Sequence, residues 1–317
     1  ETNPWLHSHN TEPMKLRRAI SLLGCTVAGL VAGCGEQKTE TERGRSGSSS
    51  KLVITAIPDE KVSDQEAKFQ ALQDYLAKTL DLKVEFSISK DYTAAETRFK
   101  NGEVHLVWFG GLSGVRARAG VPGARAIAQG ASDPKFKSYF IANAATGLSK
   151  SETFPGDAIT DLTFTFGSPS STSGRLMPEF FIREKTGKSA DEFFSKPVQF
   201  QKQGGHVATA EAVQAGTVQV GALNFKTYDS MVADGRLDPA KAPIIWITPE
   251  YADYNLTAHP DLERIFGKGF IDKLQQILVD CRDAEVLKAF NREKLIPAKN
   301  EDFAGIEVVA KALDQMR

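Results

Sequence analysis

The sequence predicts an α/β protein in which two sheets are each flanked by helices. Three observations carry this. From Lys51 onward, short apolar runs of strand length alternate with segments of helical period. The chain has 317 residues, enough for two units with their own cores, because single cores stop growing near ~250–300 residues. Hydrophobic content of 41% and charged content of 25% are those of a globular protein. With 39 basic against 40 acidic residues there is no field of either sign, so neither nucleic acid nor a polybasic membrane role has compositional support.

The elements follow in order. KLVITAI, ending at Pro58, reads as a buried strand, and Phe69, Leu72, Leu76 and Leu80 mark one face of a helix. LKVEFSI alternates as a strand does; a helix follows Asp91; EVHLVWF, ARAIAQG and KSYFIAN are further strands. FTFG leads into GSPSSTSG and then a helix. PVQFQ, a helix after His206, VQVGALN, a helix after Phe225, and APIIWIT continue the alternation. The tail reads as helices over about 260–280, 283–292 and 302–316, the last with Phe303, Ile306, Ala310 and Leu313 in period.

The amino-terminal part is expected to lie outside the fold. Met14 opens a positive region (Lys15, Arg17, Arg18), followed by an apolar stretch from Ala19 to Gly33, shorter than the roughly 20 residues a spanning helix needs. Residues 1–34 therefore read as an export signal, with 1–13 upstream of the true start. VAGC (Val31 to Cys34) resembles the lipobox of bacterial lipoproteins, which implies a lipid anchor on Cys34. The alternative is ordinary cleavage with Cys34 incidental. Residues 35–50 are polar and Gly/Ser-rich and read as a flexible tether. Cys281 is then the one thiol left in the fold, on an apolar helical face, as a buried structural residue. Of the histidines after residue 50, His105, His206 and His259, no pair has metal-ligand spacing, so no metal or cofactor is expected.

Two stretches carry the chemistry. In GSPSSTSGRLMPEFF, Ser171, Thr172 and Ser173 fall at a helix N-cap and first turn, where free N–H groups and the helix dipole favour an anion. A cap needs one hydroxyl; three in a row favour an anion site. Pro178 predicts a kink. The stretch fits neither G-x-S-x-G nor S-x-x-K, though a His-activated serine stays open. In QGGHVATAEAVQAGTVQVGALN, His206 opens a second helix after Gly204 and Gly205, and Asn224 closes a strand at its carboxyl end, where ligands of open α/β sheets bind. Tyr92 opens another helix, and Trp108 or Phe109 offers a pocket wall.

These stretches, with DYTAAETRFKNGEVHLVWFGG, resemble the phosphate/phosphite/phosphonate-type periplasmic binding proteins of ABC importers over about residues 51–317. IPDE, WFGG and TPEYADYNLT are closer to a selenate-binding subgroup. The resemblance implies a type II two-lobe fold, with lobe one at 51–143 plus 247–317 and lobe two at 144–246. It implies a tetrahedral oxyanion held by Ser171, Thr172, Ser173, His206, Tyr92 and Asn224, with Trp108 or Phe109 as wall. It implies a periplasmic or cell-surface monomer that delivers the anion to a membrane permease and is not an enzyme. Asn224 stands where phosphonate and phosphite binders of the family carry an acid, which points to a fully ionised dianion such as selenate or sulfate, with Asp253 or Glu60 as other sources of an acceptor. Two further functions stay open: an exported serine hydrolase or transferase with His206 as base, and an anion sensor that presents its closed form to a receptor.

Overall fold

The computed structural model describes residues 51–59 and 62–316. The expected signal, the tether, Cys34 and Glu60 lie outside the described residues. The first lobe begins with β1 (Lys51–Ala56), α1 (Val62–Leu80), β2 (Lys83–Phe86), α2 (Tyr92–Lys100), β3 (Leu106–Phe109), α3 (Gly111–Gly120) and β4 (Arg125–Gly130). The chain crosses at 131–137 into a second lobe. There it forms β5 (Ser138–Ala142), α4 (Asp157–Thr160), β6 (Phe164–Phe166), a π-helical turn (Thr172–Leu176), α5 (Met177–Thr186), α6 (Ala190–Phe193), β7 (Gln199–Phe200), α7 (Gly205–Gln214), β8 (Val220–Asn224), α8 (Phe225–Ala233) and β9 (Ile244–Ile247). It returns through 248–254 to β10 (Asn255–Ala258), α9 (Asp261–Phe266), α10 (Phe270–Val279), α11 (Ala284–Ala289), β11 (Leu295–Pro297) and α12 (Ala304–Ala312).

Both sheets are mixed. The first runs β11-β4-β10-β3-β1-β2, with β10 antiparallel to both neighbours. The second runs β7-β6-β8-β5-β9, with β5 antiparallel to β8 and β9. β5 thus belongs to the second sheet, whereas the sequence reading kept everything up to residue 143 in lobe one. Its register sets Ser138 beside Asn224. The two crossing segments run antiparallel and pair as Phe136 with Tyr251, through N–H···O bonds of 2.8 and 2.9 Å.

Local sequence explains the elements. On α1 the face of Phe69, Leu72, Leu76 and Leu80 is buried, at ~1.5–3 kcal/mol per large apolar side chain, while Gln70 and Asp74 bond each other on the exposed face. Lobe two packs on aromatics: Phe164 stacks on Phe194 at 4.4 Å, and Phe140 meets Trp246 at 5.3 Å. Cys281 is free and buried, as expected. The single helix expected over 260–280 is two, because Gly267 and Gly269 adopt φ of +100° and +88°. Pro178 falls at the start of a helix rather than in the middle of one. It sits in the first turn of α5, where its missing N–H costs nothing, and the hydroxyls occupy the separate π-helical turn ahead of it.

Candidate anion site between the lobes

Several helix amino termini converge where the lobes meet. Lobe one contributes the starts of α2 (Tyr92) and α3. Lobe two contributes the π-helical turn before α5, the start of α7 (His206) and the start of α8, which Asn224 caps by accepting from the Thr227 N–H at 2.7 Å. Each terminus presents N–H groups that lack a partner within their own helix, and the positive end of a dipole.

The serine–threonine block is buried. Ser171 caps the π-helical turn, its Oγ accepting from the Gly174 N–H at 3.0 Å. Gly174 is required by close approach, because a Cβ there would lie 3.0 Å from both Ser171 Oγ and His206 Cε1. Thr172 crosses the cleft: its Oγ1 accepts from the Leu112 N–H of α3 at 2.9 Å. Ser173 is 1% exposed, yet its Oγ has no hydrogen-bond partner.

His206 is fully buried, and its Nδ1 accepts from the Asn224 N–H at 3.2 Å. The proton therefore resides on Nε2, 3.5 Å from Ser171 Oγ. Burial lowers its pKa to about 3, so the ring is a neutral donor. This is the wrong tautomer and the wrong basicity for a base that would activate Ser171. Asn224 turns its Nδ2 to Tyr254 Oη at 3.2 Å, and Tyr254 donates to Asp59 Oδ2 at 2.8 Å, which links the two lobes.

The sequence reading left Asp253 outside the site set, and the structure puts it at the centre. It lies on the return crossing, fully buried, with Oδ1 accepting from the Gly111 N–H of α3 at 2.8 Å. Burial raises its pKa to about 7 against the pull of Gly111 and the neighbouring Thr172 and Ser173 hydroxyls. Its Oδ2 has no partner. Neither has the Tyr92 hydroxyl, buried beside Ser171, Asp59 and Asp253. Two hydroxyls and one carboxylate oxygen are thus desolvated together without well-aligned hydrogen bonds.

The two predicted wall residues part company. Trp108 stacks on Tyr254 at 5.3 Å and lines a cavity of about 20 Å³ with Asp59, Asn224, Lys226 and Arg292, room for about one water. Phe109 points to the other face of β3 and packs in the core against Phe99 at 5.7 Å. Besides Asp253, the sequence reading missed Tyr254, Asp59 and the α3 amides. The aspartates and tyrosines of TPEYADYNLT were the available signal.

The family model for the ABC transporter, phosphonate, periplasmic substrate-binding protein matches residues 54–303. The chain belongs to this family. Family membership gives an extracytoplasmic, substrate-binding protein of a transporter. One relative is the probable ABC transporter phosphite binding protein PhnD1 of Prochlorococcus marinus, 35% identical over 84% of this chain and 91% of its own length. Another is the phosphate-import protein PhnD of Mycolicibacterium smegmatis, 29% identical over 88% and 87%. The solved structure of PhnD1 in complex with methylphosphonate superposes with a TM-score of 0.79, covering 84% of this chain and 98% of that one.

Proposed function

We propose that this family member captures a small phosphorus oxyanion, of the phosphite or methylphosphonate kind, between its lobes and passes it to an ABC permease. In this reading Ser171, Thr172, Ser173, His206 and Tyr92 donate to the anion, Asn224 and Trp108 close the wall, and Asp253 accepts the ligand's O–H. The names of the relatives support the class of ligand. The observation that carries it is the set of unsatisfied buried atoms, and above all Asp253 Oδ2. Phosphorus oxyanions keep a proton over part of the neutral range; sulfate and selenate keep none. The dianion expectation rested on Asn224 replacing a carboxylate, and Asp253 supplies a carboxylate from another strand end. Cys34, when lipidated, would hold the protein near the permease and raise its effective concentration there.

Titration calorimetry with phosphite, methylphosphonate, phosphate, sulfate and selenate tests the ligand class. Tightest binding to a phosphorus oxyanion is expected; tightest binding to sulfate or selenate overturns the reading. Mass spectrometry of the exported protein tests Cys34, where a diacylglyceryl adduct is expected on the mature first residue.

A further inference from the structure

The turn that ends α11 reaches three bodies with three successive residues. Phe290 packs into lobe one against Phe69 and Trp108, with ring centroids at 5.6 and 4.8 Å. Arg292 runs to the first crossing, its Nε donating to Asp133 Oδ1 at 2.8 Å. Asn291, between them, reaches lobe two. Its Nδ2 donates to the Lys226 carbonyl at 3.3 Å and to Ser230 Oγ at 3.0 Å, both on α8.

Asn291 has φ +53°, the left-handed stop of a helix, with the N–H groups of 291 and 292 folding back to Lys288 O and Leu287 O. Glycine suits that backbone best, and this chain places Gly187, Gly216 and Gly235 at the corresponding stops of α5, α7 and α8, with Asp81 and Asp314 at those of α1 and α12. What asparagine adds over glycine is an amide, and the N–H groups of that amide are directed at the opposite lobe. Helix capping does not account for them.

We propose that Asn291 is a positioning residue for ligand capture. It latches the first turns of α8 to lobe one in the closed form and slows release without touching the ligand. α8 is the helix that Asn224 caps, so holding it fixes one wall of the cleft. The latch rests on the anion-capture reading above.

Asn291→Gly removes the amide and keeps the backbone conformation. Stopped-flow release of methylphosphonate and of phosphite is expected to be faster by the same factor, roughly two- to ten-fold for each neutral hydrogen bond lost. The melting temperature of the ligand-free protein is expected to be unchanged or higher, which a merely structural cap would not give. Unchanged release, or a change confined to one ligand, overturns the latch. A wild-type protein that binds neither anion overturns the functional reading instead. The latch is then decided by hydrogen exchange at the amides of residues 226–233. Faster exchange in the variant supports it, and equal exchange overturns it.

Discussion

Ser173 and Asp253 show what an unsatisfied atom means at a site. The Ser173 hydroxyl is buried against Asp253 and Tyr251 without a well-aligned hydrogen bond, so it adds little to ligand-free stability. Ser173→Ala should therefore leave ligand-free stability unchanged or slightly raised, while methylphosphonate affinity falls about ten- to one-hundred-and-fifty-fold, the range of a hydrogen bond to a charged group. Calorimetry beside a urea melt separates the two effects; equal loss in both would make Ser173 structural. Asp253 sets the pH response. Its pKa of about 7 means that it is largely protonated below that pH and ionised above it. Sulfate holds no proton in this range and is the clean probe. Protonated Asp253 donates to it, and ionised Asp253 repels it. Sulfate binding to the wild type should weaken as pH rises from 6 to 8, by up to tenfold per unit above the pKa. In Asp253→Asn the dependence should flatten and the preference for phosphorus oxyanions should shrink by ten-fold or more. His206 adds no slope in this range, since its pKa of about 3 keeps it neutral throughout. A pH dependence that survives in the variant would assign the proton elsewhere.

At the level of elements, α7 begins where the lobes touch. Gly205 has φ +45°, and a Cβ there would lie 2.9 Å from Asp59 O, backbone of the opposite lobe. The His206 N–H donates to that same carbonyl at 3.3 Å. Gly205→Ala should prop the lobes apart and weaken anion binding at least ten-fold. Gly204→Ala carries a comparable left-handed strain, but its Cβ would meet only Ala208 of its own helix at 3.2 Å, so its affinity should stay within a few-fold of wild type. Solution scattering with saturating methylphosphonate is the readout: contraction of Gly205→Ala to the wild-type radius would refute the contact. The sequence showed these helix starts well, because glycine pairs, hydroxyl runs and apolar periodicity are local signals. It did not show α3, whose Gly111, Gly114 and Gly120 break the usual helical composition although its N–H groups reach Thr172 and Asp253. Nor did it show the sheet to which β5 belongs, because an apolar strand pattern carries no information about its partners. Phe109 was unresolved from Trp108 for a related reason: neighbours on a strand face opposite ways, and only the tertiary fold says which face holds the site.

For the molecule as a whole, the question is what holds two lobes and two crossing segments in one register. Arg292 and Asp133 form a buried ion pair there, 2.6 and 2.8 Å between nitrogen and oxygen, with Asp133 also accepting from the Gly130 N–H at 2.6 Å. The guanidinium sits over the rings of Trp108, Phe136 and Tyr254 at 5.6, 5.3 and 5.1 Å. One side chain thus joins the end of α11 to both crossings, and Asp253 hangs from the same point, its N–H donating to Asp133 O at 3.1 Å. Pairs of this kind gain little over an apolar pair of equal volume, because both charges must leave water, but losing one partner strands the other. Arg292→Met alone should cost about 3–5 kcal/mol in urea unfolding. Asp133→Asn on that background should recover part of the loss, since the uncompensated charge is gone. The recovered stability should come with weaker anion binding, because without the guanidinium beneath Tyr254 the crossing that carries Asp253 is freer to move. Additive destabilisation in the double variant would remove the electrostatic account of the pair, and full recovery of both stability and affinity would remove its link to the site.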